Sequence, residues 1–189
     1  MAFILQWNLN GFYTHFEMLK LLISEHQPKV ICLQETHFKD NQKGTQKNFT
    51  TFVKNRINRH ASGGVAIYVS NDVDSTEIQI NTDLEAVAVS LKTPVTINIC
   101  NIYIPPNFTI SENDLNNLLL QIPQPRIILG DFSSHNIIWG ANNTSIQGRM
   151  LAKVLDNFGL ILPNNGEPTH FSTHNAPHLY WTFVQATSA

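Results

Sequence analysis

Four polar residues each follow an apolar run, and their types could together hydrolyse a phosphodiester. They are Asn8 in QWNLNG, Glu35 in CLQETH, Tyr103 in NIYIPP and Asp131 in ILGDFSSHN. A glutamate can hold Mg²⁺, which takes one or two carboxylates and several waters. An aspartate can orient or deprotonate the attacking water, while an amide and a phenol can donate hydrogen bonds to a phosphate oxygen. The four residue types therefore suit a phosphodiesterase.

Each of the four residues also has a purely structural interpretation. Asn8 can form a turn and Glu35 can lie on the surface. Tyr103 can be a core aromatic with a solvated hydroxyl, and Asp131 can cap a turn. An unpartnered carboxylate is costly to bury, so a buried Asp131 needs a metal, a cation or a hydrogen-bond network. Taken one at a time, these residues leave both interpretations open.

The elements that must position these residues alternate along the whole chain. Apolar runs typical of strands occupy 3–9, 30–35, 63–70, 86–91, 95–104, 126–131 and 178–184. Helical spacing covers 12–25, 112–121 and 149–158, with Ser111 as a candidate N-cap and Gly159 as a C-terminal stop. There is no repeat, low-complexity tract or linker, so we expect one α/β domain over residues 1–189 with its polar residues at strand ends.

Composition excludes several classes of protein. The 189 residues are 42% hydrophobic with dispersed charges, which predicts a soluble globular domain rather than disorder. No apolar run is long enough to span a bilayer, so we expect no membrane partner. The amino end lacks the features of a signal peptide, which predicts an intracellular protein, nuclear or cytoplasmic, that is not secreted. Cys32 and Cys100 lie inside apolar runs and are expected to be buried free thiols.

Positive charge is concentrated in one segment. The net charge is −2, yet six of the twelve Lys and Arg residues lie within 39–59. They are Lys39, Lys43, Lys47, Lys54, Arg56 and Arg59. Such a strip can follow a phosphate backbone, and it can equally be a solvated surface loop.

Six segments of the chain resemble one family in order and spacing. They are QWNLNG, LQETH, SGGVAIYV, NIYIPP, GDFSSHNIIWG and GRMLAKVLDNFGLILPNNGEPTHFS. The chain resembles the endonuclease/exonuclease/phosphatase family, and within it most closely the endonuclease domain of Jockey-like non-LTR retrotransposons. The resemblance covers nearly the whole chain. It implies a DNase I-like, four-layer α/β sandwich, in which two mixed β-sheets are flanked by helices and the site lies at one end.

The resemblance also implies a role for each site residue. Glu35 resembles the glutamate that binds Mg²⁺ or Mn²⁺, and Asn8 the amide that supports the site. Tyr103 resembles the tyrosine that contacts the scissile phosphate, Asp131 the aspartate that activates water, and Thr169 a threonine near the site. The implied reaction is a metal-assisted nick in one DNA strand. The 3′ hydroxyl that it leaves primes reverse transcription of the element's RNA.

The chain departs from the family pattern at three places. Ser133 stands where the family has an asparagine, and a serine lacks the two amide donors; losing one transition-state donor can cost about 3 kcal/mol. Tyr180 stands where the family has an aspartate, and no Asp or Glu follows Glu167. The sequence stops at Ala189, before the family's final Ser-Asp-His segment, so we expect a C-terminally truncated sandwich.

These departures separate ancestry from activity. The first hypothesis is a Mg²⁺-dependent endonuclease-like domain whose nicking is weakened or lost. The second is a catalytically dead module of the same fold that binds nucleic acid or protein. A third is a phosphatase that acts on a small phosphorylated substrate, against which Trp139-Gly140 and the segment GEPTHFS argue.

Overall fold

Two mixed β-sheets face each other in the computed structural model, which describes residues 4–39, 41–56, 62–106, 108–162 and, as backbone, 181–185. The first sheet contains β1 (Ile4–Asn8), β2 (Val30–Gln34), β3 (Phe49–Lys54) and β4 (Val65–Ser70), in the order β1-β2-β4-β3. The second contains β5 (Ser75–Ile78), β6 (Glu85–Leu91), β7 (Ile97–Tyr103), β8 (Arg126–Asp131) and β9 (Trp181–Gln185), in chain order. The β1–β2 and β7–β8 pairs are parallel, and the other pairs are antiparallel.

Helices cover the outer faces of both sheets. Helix α1 (Phe12–His26) packs on the first sheet, while α2 (Glu112–Leu120) and α3 (Ile146–Asn157) pack on the second. Apolar side chains fill all three spaces between the layers, because alternate residues of each strand point to opposite faces. The predicted four-layer α/β sandwich is therefore confirmed.

Local sequence explains where the helices begin and end. Ser111 caps α2 in a capping box with Asp114, as predicted. Helix α3 begins three residues before the predicted start, because the Ser145 hydroxyl accepts a hydrogen bond from the Gly148 amide and caps it. A short 3₁₀-helix, Ile137–Trp139, precedes α3 and was not predicted.

Two strands also escaped the sequence analysis. The β3 segment FTTFVK lies at an edge of the first sheet and mixes partly buried and exposed residues. The β5 segment STEI lies at an edge of the second sheet and is largely exposed. Edge strands bury little surface, so neither segment has the continuous apolar run of the central strands.

Several expectations concern residues outside those described. Thr169, Tyr180 and Arg59 lie there, and so do all residues of the predicted last strand before Trp181. That strand is confirmed from Trp181 onward, where β9 pairs antiparallel with β8. Cys32 and Cys100 are buried free thiols, as predicted. Among the described residues, no helix has the length and apolar character that crossing a membrane requires.

Candidate active site

One amide joins the two candidate carboxylates across the gap between the sheets. Asn8 ends β1 in the first sheet, and its Nδ2 donates to Glu35 Oε1 at 2.7 Å and to Asp131 Oδ2 at 2.9 Å. Glu35 directly follows β2 in the first sheet, and Asp131 ends β8 in the second. The structure therefore brings three of the predicted site residues into direct contact, although Asp131 lies 123 positions from Asn8 in the sequence.

The backbone around Glu35 is fixed from both sides. The Glu35 carbonyl accepts a hydrogen bond from Gly11 N at 2.7 Å, and His37 N donates to Gly63 O at 2.9 Å. Glu35 has a φ of 51° and His37 a φ of 54°, a left-handed conformation that costs a non-glycine residue roughly 1 kcal/mol or more. His37 Nε2 lies 3.5 Å from Glu35 Oε2. This strained turn presents the carboxylate toward β8.

Asp131 reaches the site because a glycine precedes it. A Cβ on Gly130 would lie 2.0 Å from the carbonyl oxygen of Ile102, so only glycine allows β8 to lie this close to β7. Burial raises the pKa of Asp131 above the usual value of a carboxyl group, and the negative charge of Glu35 adds to this rise. Hydrogen bonds from Ser133 and Asn8 oppose it. A carboxylate whose pKa lies closer to neutral is a stronger base.

Tyr103 completes the group of four. It ends β7 and is the register partner of Asp131 in the parallel β7–β8 pair. Burial raises its pKa, and the charge of Glu35, to which its side chain is hydrogen-bonded, raises it further. The phenol therefore stays protonated at neutral pH and remains a hydrogen-bond donor. All four residues that the sequence singled out are thus brought together.

Sequence reasoning missed Glu85, an acidic residue that lies on the opposite side of Tyr103 from Asp131. Glu85 opens β6 as the register partner of Tyr103. Its carboxylate accepts from Arg56 Nε at 2.5 Å and also from the backbone N–H of Gly64. The Arg56 guanidinium carbon lies 5.8 Å from the centre of the Tyr103 ring. Glu85 directly precedes the apolar run AVAVSL, so the signal in the sequence was a polar residue at the start of a strand rather than at its end.

Arg56 therefore differs from the rest of the predicted basic strip. Its guanidinium is engaged by Glu85 and is only partly exposed. The strip lysines within the described residues are exposed and form no ion pair there, namely Lys39, Lys43, Lys47 and Lys54. Every other lysine of the described chain contacts a carboxylate: Lys20, Lys29, Lys92 and Lys153. These four lysines thus carry positive charge that no carboxylate of the described residues neutralises.

Comparison with known proteins decides the family. The sequence pattern of the Endonuclease/Exonuclease/phosphatase family matches residues 5–186. The chain belongs to this family. Two curated relatives from Drosophila melanogaster are 25% identical to it: the probable RNA-directed DNA polymerase from transposon X-element, over 175 residues, and the RNA-directed DNA polymerase from mobile element jockey, over 170. These matches cover 89% and 88% of this chain, but only 19% and 18% of the relatives, so the chain spans about a fifth of their length.

Solved structures agree with this membership. The endonuclease domain of TRAS1, a telomere-specific non-LTR retrotransposon, has a TM-score of 0.81 at 21% identity, with 97% of this chain and 85% of that chain covered. An AP endonuclease from Archaeoglobus fulgidus has a TM-score of 0.73 at 16% identity, with 97% and 86% covered. The predicted resemblance to the endonuclease/exonuclease/phosphatase family, and to its non-LTR retrotransposon domains, is confirmed.

Ser133, at a position where the resemblance implies an asparagine, contacts the Asp131 carboxylate. The Ser133 backbone N–H donates to Asp131 Oδ1 at 2.9 Å, and its hydroxyl lies 3.4 Å from the same oxygen. Its φ of 42° is left-handed, a conformation that asparagine adopts more readily than serine. The substitution therefore keeps the backbone contact to Asp131 and removes the side-chain amide.

Proposed function

We propose that this chain is a Mg²⁺-dependent endonuclease domain that nicks one strand of DNA and leaves a 3′ hydroxyl. The observation that supports this most directly is the Asn8 amide, which holds Glu35 and Asp131 together at the mouth between the two sheets. Two carboxylates from different sheets are costly to bring together, and a dedicated donor between them is expected where both take part in one reaction.

The proposed roles follow from the contacts. Asp131 is the general base that takes a proton from the attacking water, since burial raises its pKa and Ser133 N orients its Oδ1. Tyr103 keeps its proton and donates a hydrogen bond to a phosphate oxygen. Asn8 is a positioning residue. Its amide donates to both carboxylates, which reduces their mutual repulsion and keeps them aligned.

The donor set fits Mg²⁺ rather than a softer metal. Glu35 supplies hard carboxylate oxygens, and Mg²⁺ takes one or two such groups with water filling its remaining positions. Among the described residues, no group of three or more His, Cys, Asp or Glu side chains is placed to hold a metal. We propose that Glu35 holds the ion, with Mn²⁺ as a substitute. A bound Mg²⁺ supplies charge stabilisation to the phosphate oxygens in the transition state.

Nicking of supercoiled plasmid in Mg²⁺ tests the proposal. Glu35→Ala and Asp131→Asn are expected to abolish nicking, since each removes a group with a distinct role. Glu77→Ala and Asp156→Asn are matched controls, because both carboxylates are exposed, one in the edge strand β5 and the other in the last turn of α3. They are expected to nick like the unmodified chain. Nicking that survives both site substitutions would reject the assignment.

The same assay can measure the effect of having a serine rather than an asparagine at position 133. Ser133→Asn places the family's residue at a left-handed position that it tolerates well and adds a donor beside Asp131. We expect nicking to rise by tenfold or more. Equal rates for the two chains would show that the serine is not what limits activity.

A catalytically silent DNA-binding module is the second candidate. The four exposed strip lysines, which pair with no carboxylate of the described residues, favour it. A chain that binds duplex DNA with salt dependence but never nicks it would support this candidate. Replacing Lys43, Lys47 and Lys54 together by alanine should lower the slope of log affinity against log salt by about 3. The matched control replaces Lys20, Lys92 and Lys153, which already contact carboxylates, and should leave the slope unchanged.

A further inference from the structure

Two loops leave the candidate site side by side. Strands β7 and β8 are parallel and end at the register partners Tyr103 and Asp131, so the segments that follow them start at the same end of the second sheet. The segments also meet further on, where Gln147 Nε2 donates to the carbonyl oxygen of Phe108 at 3.4 Å. They therefore form a continuous flank of the site.

This flank carries a cluster of exposed apolar side chains. Phe108, Ile137, Ile138 and Ile146 are between 45% and 81% exposed, and we call them the apolar rim. They are four of the ten large hydrophobic residues exposed in the described chain. Isolated exposed apolar residues are ordinary, whereas a cluster beside a polar site marks a surface that contacts a ligand.

The central pair of the rim is held rigidly. Asn136 Oδ1 accepts from Ile138 N, and Asn136 Nδ2 donates to Gly148 O, both at 3.0 Å. Trp139 is buried beneath the pair, and its Nε1 donates to Ser134 O at 3.3 Å. A backbone that is already fixed loses little conformational entropy when the segment binds, so this pair suits insertion into a partner.

The charge around the rim favours a polyanionic partner. Residues 104–111 and 132–155 contain no Asp or Glu. On the first sheet, the exposed Lys39, Lys43 and Lys47 lie in the loop that follows Glu35. Duplex DNA offers both matching features, a charged backbone and stacked apolar bases. Proteins that insert isoleucine or similar wedges between base pairs bend the duplex and bind it from the minor groove.

We propose that Ile137 and Ile138 form a wedge that inserts between base pairs in the minor groove, with Phe108 and Ile146 on either side. This inference rests on the proposed function, because it assumes that the site takes duplex DNA. A wedge unstacks the base step that it enters, so it favours pyrimidine–purine steps, which deform easily. Preference for such steps would then arise without hydrogen bonds to base edges.

Binding of a fluorescent duplex in EDTA, measured by anisotropy with the full chain, tests the wedge without strand cleavage. The double substitution Ile137→Ser/Ile138→Ser is expected to weaken binding by about tenfold or more, since truncated anchors dominate binding losses. The salt slope should stay unchanged, because no charge is removed. The matched control is Leu120→Ser/Ile161→Ser, which removes two aliphatic side chains that are 74% and 65% exposed but lie outside the rim.

A duplex that carries 2-aminopurine at a central TA step reports unstacking directly. The unmodified chain should raise the 2-aminopurine fluorescence, and the rim double variant should not. Equal affinity for the rim variant, an equal loss in the control pair, or no fluorescence change with the unmodified chain would each overturn the wedge. A chain that shows the wedge signature but nicks no plasmid would reject the proposed function alone. A chain whose rim variant nicks and binds normally would reject the wedge alone.

Discussion

Replacing Asn8 by alanine removes the donor that lies between the two carboxylates. The side chain makes two hydrogen bonds to carboxylate oxygens, at 2.7 and 2.9 Å, in a partly buried site. A hydrogen bond to a charged group contributes about 1.5 to 3 kcal/mol. Taking the lower value for each, we expect Asn8→Ala to lower the free energy of unfolding by about 3 kcal/mol at neutral pH.

The decrease in the free energy of unfolding caused by Asn8→Ala should depend on pH, which distinguishes it from a simple packing defect. The hydrogen bond from Asn8 lowers the pKa of Asp131, so removing it raises that pKa further above the usual value. An interaction that lowers a carboxyl pKa stabilises the folded protein while the group is charged, and this stabilisation disappears as the pH falls through the pKa. The difference between the two chains should therefore be full at pH 7 and shrink in acid.

Urea unfolding at several pH values, in EDTA, measures this difference. Asn143→Ala is the matched control, because Asn143 is exposed in a loop, and it should change the free energy of unfolding by less than about 0.5 kcal/mol. Nicking by Asn8→Ala should fall by at least a hundredfold, since both carboxylates lose their alignment. A loss that stays the same from pH 7 to pH 4 would refute the reasoning, because it would come from packing alone.

Three further substitutions test the scaffold of the site. Gly130→Ala is expected to destabilise the chain by about 3 kcal/mol or more in urea, since the new methyl would lie 2.0 Å from Ile102 O; a stable, active variant would contradict the geometry. Burial raises the pKa of Asp131, so the folded state favours the protonated form. The stability of the unmodified chain relative to Asp131→Asn should therefore decrease as the pH rises through that pKa. Thermal melts of both chains at several pH values measure this difference, and an increase with pH would contradict the prediction. Glu85→Gln removes the charge that holds a guanidinium and an amide, and should cost about 2 kcal/mol. The exposed Glu77→Gln should cost nothing measurable.

The sequence predicted the parts of this molecule that rest on continuous patterns. The central strands β2, β4, β6, β7 and β8 are largely buried, and apolar residues therefore dominate their sequences. Strand ends gave Asn8, Glu35, Tyr103 and Asp131, because a polar residue after such a run marks where the chain leaves the core. The edge strands β3 and β5 were missed, since solvent on one side removes the pattern.

Pairwise contacts between distant residues could not be predicted. Nothing in the sequence joins Glu85 to Arg56, because their pairing depends on which strands become neighbours. The same holds for the charge balance of the basic strip. Arg56 was grouped with the free lysines from its position in the sequence, and only the fold shows that a carboxylate holds it beside Tyr103.

The polar contacts between the two sheets explain why this fold can hold such a site. Apolar packing is non-directional, so the layer between the sheets would tolerate sliding of one sheet over the other. Two amide side chains oppose this. Gln6 Nε2 donates to Gly130 O at 2.9 Å, and Asn101 Nδ2 donates to Leu33 O and Ala66 O, each at 2.9 Å. Gln6 lies two residues before Asn8 on the same face of β1, and Gly130 directly precedes Asp131.

These hydrogen bonds are directional, so each restricts how far one sheet can slide over the other. A displaced sheet would leave buried amides unpaired, at a cost of about 1 to 3 kcal/mol each. The amides next to the site therefore set the distance between Glu35 and Asp131, and Asn8 acts within a frame that is already aligned. On this argument, Gln6→Leu should leave the core packed yet reduce nicking, because it would free β1 from β8 without emptying the space between them.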